Sequence, residues 1–392
     1  MFSIGDRFEL HIDRLSVGGR GVGRKDGIVV FVDLVAPDED VEVEITLVKK
    51  NLAEAKLIRV VEPSCYRIEP PCIHFKEGCG GCSWQHISYD GQLTAKKDLV
   101  SEALRKFSGF KEFTLLDTVP SPLVFRYRNR IQVHKQSSTD KNGNVSTKVG
   151  FHERGSHRIV DIKDCLITEE SLVKKLDEVR HGNIHGDRIQ IYRNLQNDVL
   201  VESADEQSSL AFSQVNSSQN SQLIQAVLEQ VKKSSLPDGQ LAAVLDLYSG
   251  SGNFTFPLAA VFPSAKVIGV ELNSPAVQLG NELAKIQSKN IRFERAKVEE
   301  FLKRWSPPGG QYLILIDPPR TGCDPAAIKI LKDLKPTCLV YISCHPVTLA
   351  RDLKAFSESG WSMEYAQPID MFPQTDHVET VVTLKPPHIA RQ

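Results

Sequence analysis

The run V-L-D-L-Y-S-G-S-G-N-F-T-F-P-L-A (244–259) constrains the fold more than any other stretch of this chain. An apolar strand-like segment runs into a glycine-rich turn, and helical spacing follows at once. From 241 to the end the pattern alternates strand and helix, which predicts a doubly wound α/β domain. Two later apolar runs, Y-L-I-L-I (312–316) and C-L-V-Y-I-S (338–343), read as buried strands of the same sheet. The first stops at Asp317-Pro318-Pro319-Arg320 and the second at Cys344-His345-Pro346. In parallel sheets chemistry collects beyond the carboxyl ends of the strands, so a carboxylate and a thiol at two such ends mark a candidate active site. The competing reading of Cys344 is a buried packing residue, since cysteine is among the most buried types.

At 392 residues the chain is too long for one core, so two or three domains are expected. Residues 1–62 carry short strand-like runs (8–12, 28–32 and 41–48) between the glycine-rich stretch 18–27 and A-P-D-E-D, the pattern of a small barrel. Residues 63–205 form a central β-rich unit that begins with a cysteine cluster; it contains a helical pattern at 91–108 and a polar loop at 136–148. Residues 206–392 are the α/β domain, with 208–222 a loop that leads into a helix. No apolar run approaches the roughly 20 residues of a membrane span, and the N-terminus lacks the blocks of a signal peptide. These features place the expected protein in the cytoplasm, as a monomer with no membrane partner. Five of the eight cysteines lie between 65 and 165, and in a reducing compartment such clustering suggests metal or catalysis before disulfides.

The net charge of −1 announces no nucleic-acid partner, and its distribution says more. Between 95 and 165, fourteen Lys/Arg face eight Asp/Glu. Within that segment F-R-Y-R-N-R-I-Q-V-H-K (125–135) interleaves arginines with aromatic rings, a pattern suited to phosphate neutralisation and base stacking. A solvated strand face with its aromatics turned to the core gives the same pattern.

Gly250 and Gly252 allow a ligand close to the backbone, but the third glycine of the dinucleotide fingerprint is missing. About twenty residues on, V-I-G-V ends at Glu271, where a carboxylate can accept hydrogen bonds from ribose hydroxyls. Together these features resemble an S-adenosylmethionine-dependent methyltransferase; a nicotinamide or flavin enzyme is the alternative. D-P-P-R in place of a D-P-P-aromatic motif, with a cysteine ending the next strand, suits methylation of carbon. Uracil C5 is a poor nucleophile until a thiolate adds to C6. A base must then take the C5 proton before the thiol can leave. Glu379, His377 and Asp376, in D-M-F-P-Q-T-D-H-V-E-T-V-V (370–382), are candidates for that base.

F-S-Q-V-N (212–216), D-L-Y-S-G-S-G-N-F, D-P-P-R, Y-I-S-C-H-P-V-T-L-A-R-D and D-M-F-P-Q-T-D-H-V-E-T-V-V resemble the RNA 5-methyluridine methyltransferase family. C-G-G-C (79–82), Y-R-N-R (127–130) and a TRAM-like N-terminal barrel extend that resemblance over essentially the whole chain. It implies Cys344 as nucleophile and Glu379 as the proton-abstracting base, with Gln214, Tyr248, Asn253, Glu271 and Asp317 around the cofactor and the target uracil. It implies structured RNA as partner, most like the 23S ribosomal RNA enzymes, with the tRNA T-loop as alternative. A catalytically silent RNA-binding or assembly protein is the reading from another class. Two positions depart from the family pattern. His345 stands where Asn or Asp usually follows the nucleophile, and Lys297 stands near the position of an acidic or amide residue.

C-I-H-F-K-E-G-C-G-G-C sets Cys72, Cys79 and Cys82 close together, with Cys165 distant in sequence. Four thiolates in this arrangement suit a [4Fe–4S] cluster, and four also make a structural zinc site. Gly80 and Gly81 would turn free amides toward the cluster. The family resemblance favours iron–sulfur, with one residue more than usual between the first two ligands. Cys65, Cys323 and Cys338 fall outside the pattern and are expected to be bystanders.

Overall fold

A computed structural model describes residues 2–182, 184–194, 196–204, 214–234, 240–287 and 290–387. Three sheets organise the chain. The first has six strands in the order Arg7–Ile12, Glu39–Val48, Leu52–Glu62, Ile28–Val32, Gly21–Lys25, Arg14–Leu15. Its two edge strands are neighbours in sequence, and the Asp13 amide donates to the Val22 carbonyl at 2.9 Å, which curls the sheet into a barrel. The strand Gly21–Lys25 lies inside the stretch expected to be only a turn. Glycine permits this close approach, because a Cβ on Gly23 would fall 2.2 Å from the His11 carbonyl oxygen.

The second sheet is antiparallel, ordered Ile159–Asp161, Val145–His152, Arg130–Thr139, Arg188–Arg193, Val199–Ser203. Here the expected loop 136–148 is mostly hairpin. Hydroxyls bridge its strands at Ser137–Thr147 (2.9 Å) and Ser138–Ser146 (3.0 Å), so polar side chains support the pairing that their polarity argued against.

The third sheet has eight strands: Ile291–Arg295, Lys266–Glu271, Ala243–Leu247, Tyr312–Ile316, Cys338–Ser343, Glu379–Lys385, Ser362–Ile369, Thr114–Leu115. The first five run parallel, Glu379–Lys385 is antiparallel to its neighbours, and apolar side chains cover both faces. The helix Ser217–Lys233 begins inside the expected loop 208–222. Asn216 caps it by accepting from the Gln219 amide at 3.1 Å. The part of that loop at 208–213 lies outside the described residues.

Packing divides the chain differently from the expected boundary at 205/206. The helix Tyr89–Phe107 buries Val100, Ala103 and Leu104 in the same cluster as Leu245, Ile314 and Phe356 of the α/β domain. Thr114–Leu115 adds a parallel edge strand beside Ser362–Ile369. Helical periodicity shows that this helix has an apolar face, but not which sheet that face meets. Leu104→Ala should therefore destabilise the α/β core itself by about 2–5 kcal/mol. Urea unfolding read through the tryptophans checks this; an unchanged midpoint would remove the helix from that core.

Candidate active site

Strand register builds the site. Ile316 pairs with Leu247 on one side and with Tyr341 on the other, so Tyr248, Asp317 and Cys344 all emerge at one end of the sheet. On the antiparallel side Ser343 pairs with Thr380. One step further along that ladder sets Cys344 against Glu379, and residues opposed in this way bring their side chains within contact range. Gln214, Tyr248, Glu271, Asp317, Cys344 and Glu379 line one cavity of about 1320 Å³.

Local structure fixes each group. Tyr248 leaves its strand with φ at +63°, a left-handed conformation that a non-glycine residue holds only when its surroundings impose it. The Gly250 amide donates to Glu271 Oε2 at 3.0 Å and the Asn273 amide to Oε1 at 2.7 Å. The carboxylate of Glu271 is thus held by backbone at the end of its strand, with lone pairs left for a ligand. Pro346 opens the helix Pro346–Ser357 at a position where its missing N–H costs nothing. His345 is its cap: ring Nδ1 accepts from the Thr348 amide at 3.2 Å and pairs with the Thr348 hydroxyl at 2.9 Å. An Asn or Asp side chain would cap the helix in the same way, so the departure at 345 keeps the cap.

The electrostatics are those of acids crowded and buried at the strand ends. Glu379 is 7% exposed, and burial pushes its carboxyl up to about 7. Burial and the nearby Glu379 and Asp246 carboxyls raise Asp317 well above the carboxylate range. Cys344 is pushed up to about 11 by burial first, then by Glu379 and Asp317, with Arg320 opposing. Behind them Asp246 is fully buried, raised to about 7 by desolvation and hydrogen-bonded to the Thr255 hydroxyl at 2.5 Å.

Other expected residues fall elsewhere. Asn253 exchanges amide hydrogen bonds with Asn220 at 2.8 and 3.1 Å and lines a neighbouring cavity of about 360 Å³, which shares Gln214, Tyr248 and Asp317 with the large one. Lys297 lines the large cavity together with Glu299, two residues on. Cys323, expected to be a bystander, is also in its wall; burial raises this thiol to about 12. Of the alternative bases, Asp376 accepts from the Gly18 amide at 2.9 Å and from the Ser83 hydroxyl at 3.1 Å, away from the large cavity's lining. The arginine-rich run is strand only from Arg130. Before it, Arg126 has φ at +54° and forks onto Asp164 with two bonds of 2.8 Å, while Tyr127 is buried.

Cys72, Cys79, Cys82 and Cys165 line a separate cavity of about 320 Å³ in the central domain. Burial raises Cys79, Cys82 and Cys165, with Cys82 reaching about 12. The Gly81 amide faces Cys79 Sγ at 3.5 Å, whereas the Gly80 amide, also expected to be free, donates to the His152 carbonyl at 2.9 Å. Among the described residues no group of three or more His, Cys, Asp or Glu is arranged to hold a single metal ion. No helix among them is long and apolar enough to cross a membrane.

The family model for tRNA (uracil-5-)-methyltransferase matches residues 311–386, a methyltransferase-domain model matches 238–343 and the TRAM-domain model matches 2–58. The chain is 41% identical to an RNA methyltransferase of Bdellovibrio bacteriovorus, over 97% of this chain and 96% of that one. It is 31% identical to an RNA methyltransferase of Thermosynechococcus vestitus, over 97% and 98% of the two chains. Among solved structures it is similar to the tRNA (uracil-54, C5)-methyltransferase of Pyrococcus abyssi in complex with S-adenosyl-L-homocysteine. The TM-score is 0.70 and the identity 25%, covering 96% of this chain and 99% of that one. These matches, a near full-length relative at 41% identity among them, show that this chain belongs to the S-adenosylmethionine-dependent RNA (uracil-C5)-methyltransferases.

Proposed function

We propose that the chain methylates C5 of one uridine in structured RNA through a covalent adduct between Cys344 and uracil C6. The placement of Cys344 opposite Glu379 at the sheet's carboxyl end carries this reading. The Cys344 thiolate adds to C6, which makes C5 the nucleophilic carbon of an enolate. S-adenosylmethionine supplies the sulfonium methyl group that C5 accepts, its ribose fitting the backbone-held carboxylate of Glu271. The Glu379 carboxylate then takes the C5 proton, the S–C6 bond breaks, and the C5–C6 double bond returns with the thiolate. Asp317, whose carboxyl burial and the nearby Glu379 and Asp246 raise above the carboxylate range, would hold the uracil edge. Gln214 and Tyr248 close the wall between the cofactor and the base.

The base is reached by flipping it out of the RNA fold. The TRAM barrel and the cysteine-bearing central domain favour 23S ribosomal RNA, as the sequence resemblance implies. A tRNA T-loop uridine is the second reading, favoured by the full-length likeness to the archaeal uracil-54 enzyme. Mapping 5-methyluridine in total RNA from a deletion strain separates the two.

We also propose that Cys72, Cys79, Cys82 and Cys165 hold a [4Fe–4S] cluster. Four thiols around a cavity of about 320 Å³ suit a cluster better than one ion with Zn–S bonds of about 2.3 Å. The chemistry above transfers no electron, so the cluster would serve structure. Anaerobically purified protein should contain iron and acid-labile sulfide and absorb near ~400 nm; zinc in their place would refute the cluster.

Cys344→Ala should abolish both methylation and covalent trapping of 5-fluorouridine RNA, and trapping retained in that variant would sink the nucleophile assignment. Because Glu379 must be ionised to release the methylated product, kcat should rise with pH through about 7 in the wild type. Glu379→Gln should remove that rise and cut turnover; a variant that keeps both would exclude Glu379 as the base.

A further inference from the structure

The segment that delivers Glu379 is held by residues with no part in the chemistry. Between the strands Ser362–Ile369 and Glu379–Lys385 the chain leaves the sheet for residues 370–378, which belong to no helix or strand. No ladder fixes this excursion, yet Glu379 is the residue that follows it.

It is fastened from two sides, by one helix and by the segment that follows Cys82. Lys96, on the helix Tyr89–Phe107, has no solvent exposure; it pairs with the equally buried Asp370 and donates to the Phe372 carbonyl at 3.1 Å. Gln92, one turn earlier, clasps Gln374: its Oε1 accepts from the Gln374 amide at 2.8 Å and its Nε2 donates to Gln374 Oε1 at 3.1 Å. Gln374 is held at φ +70°, and its carbonyl takes the amides of Ser83 and Trp84 at 3.1 and 3.0 Å. These two residues directly follow Cys82. The Ser83 hydroxyl also accepts from the Asp376 amide at 3.0 Å.

A buried lysine–carboxylate pair is a poor source of stability, because desolvation cancels most of its attraction. What such a pair does supply is one defined geometry. The same holds for a left-handed glutamine clamped by a second glutamine. All of these contacts fall on 370–376, three residues before Glu379.

We propose that Lys96, Gln92 and Ser83 are positioning residues for proton abstraction: they lock the 370–376 segment so that the Glu379 carboxyl lies against Cys344. Through Ser83 and Trp84 the wall of the cysteine cavity becomes part of the same mount. This rests on Glu379 acting as the base.

Two properties of the reaction make the test specific. Adduct formation and methyl transfer need Cys344 but not the base, and 5-fluorouridine stops the reaction at that stage because C5 carries no proton. Ser83→Ala and Lys96→Met should bind S-adenosylmethionine as the wild type does by calorimetry, and should trap RNA transcribed with 5-fluorouridine. On undermethylated RNA with ordinary uridine their turnover should fall about 10- to 100-fold. The methylated covalent protein–RNA adduct should accumulate, as in Glu379→Gln. Ser83→Ala removes one partly exposed hydroxyl, so it tests the idea even if Lys96→Met fails to fold. Wild-type turnover in Ser83→Ala overturns the proposal, and so does parallel loss of cofactor binding, trapping and turnover without adduct. If Glu379→Gln itself turns over normally with no adduct, the base assignment has failed instead.

Discussion

The antiparallel ladder between Cys338–Ser343 and Glu379–Lys385 is the contact on which this molecule's chemistry depends. A strand ending in a nucleophile is common in α/β sheets, but the strand beside it usually runs parallel and delivers its own carboxyl end. Reversing one strand brings an amino end to the same edge. Glu379, first residue of its strand, therefore meets Cys344, which comes just after the last residue of its own. Register leaves little freedom, because a one-residue slip would turn every side chain of Glu379–Lys385 to the other face. Both faces are packed: Val381 lies in one apolar layer and Val382 in the other. The core thus enforces the pairing of Cys344 with Glu379.

Burial then sets the character of the groups so paired. The same desolvation that raises Glu379 to about 7 raises the Cys344 thiol to about 11. A carboxyl tuned to about 7 is half ionised at neutral pH and is a stronger base than a surface glutamate. The cost falls on the thiol, which burial first and the neighbouring Glu379 and Asp317 second hold protonated. A cationic ligand in the cavity acts in the opposite direction, favouring thiolate over thiol.

Much of the α/β domain is legible in the sequence because its signals are local. Apolar runs of five or six residues, a glycine pair after one and prolines after two others place Asp317 and Cys344 at strand ends without any knowledge of the neighbours. Glu379 is different. In isolation it is a carboxylate at the start of a strand, and only the register reveals what it faces. Lys96 is less legible still: a lysine followed by another lysine reads as solvated helix surface, and its burial depends on Asp370, 274 residues away. The helix expected at 91–108 is present but its packing partner is not legible, and the expected loop at 136–148 is mostly hairpin, for a related reason. Periodicity reports that a face is apolar, or that a segment is polar, but not the partner that decides its place.

That long-range partnership changes what the N-terminal domains are. A barrel tethered only to gather RNA would need no contact with the catalytic edge, yet the Gly18 amide binds Asp376 and the Trp84 indole donates to the Gly19 carbonyl at 3.0 Å. Tyr127, in the central domain, donates to the Pro373 carbonyl at 3.0 Å. Barrel, cysteine segment and central domain thus converge on 373–376, the irregular stretch that precedes Glu379. Irregular backbone at an active site is easily displaced, because no ladder restores it. A segment fastened by three separate parts of the chain is rigid only while all three hold their relative places.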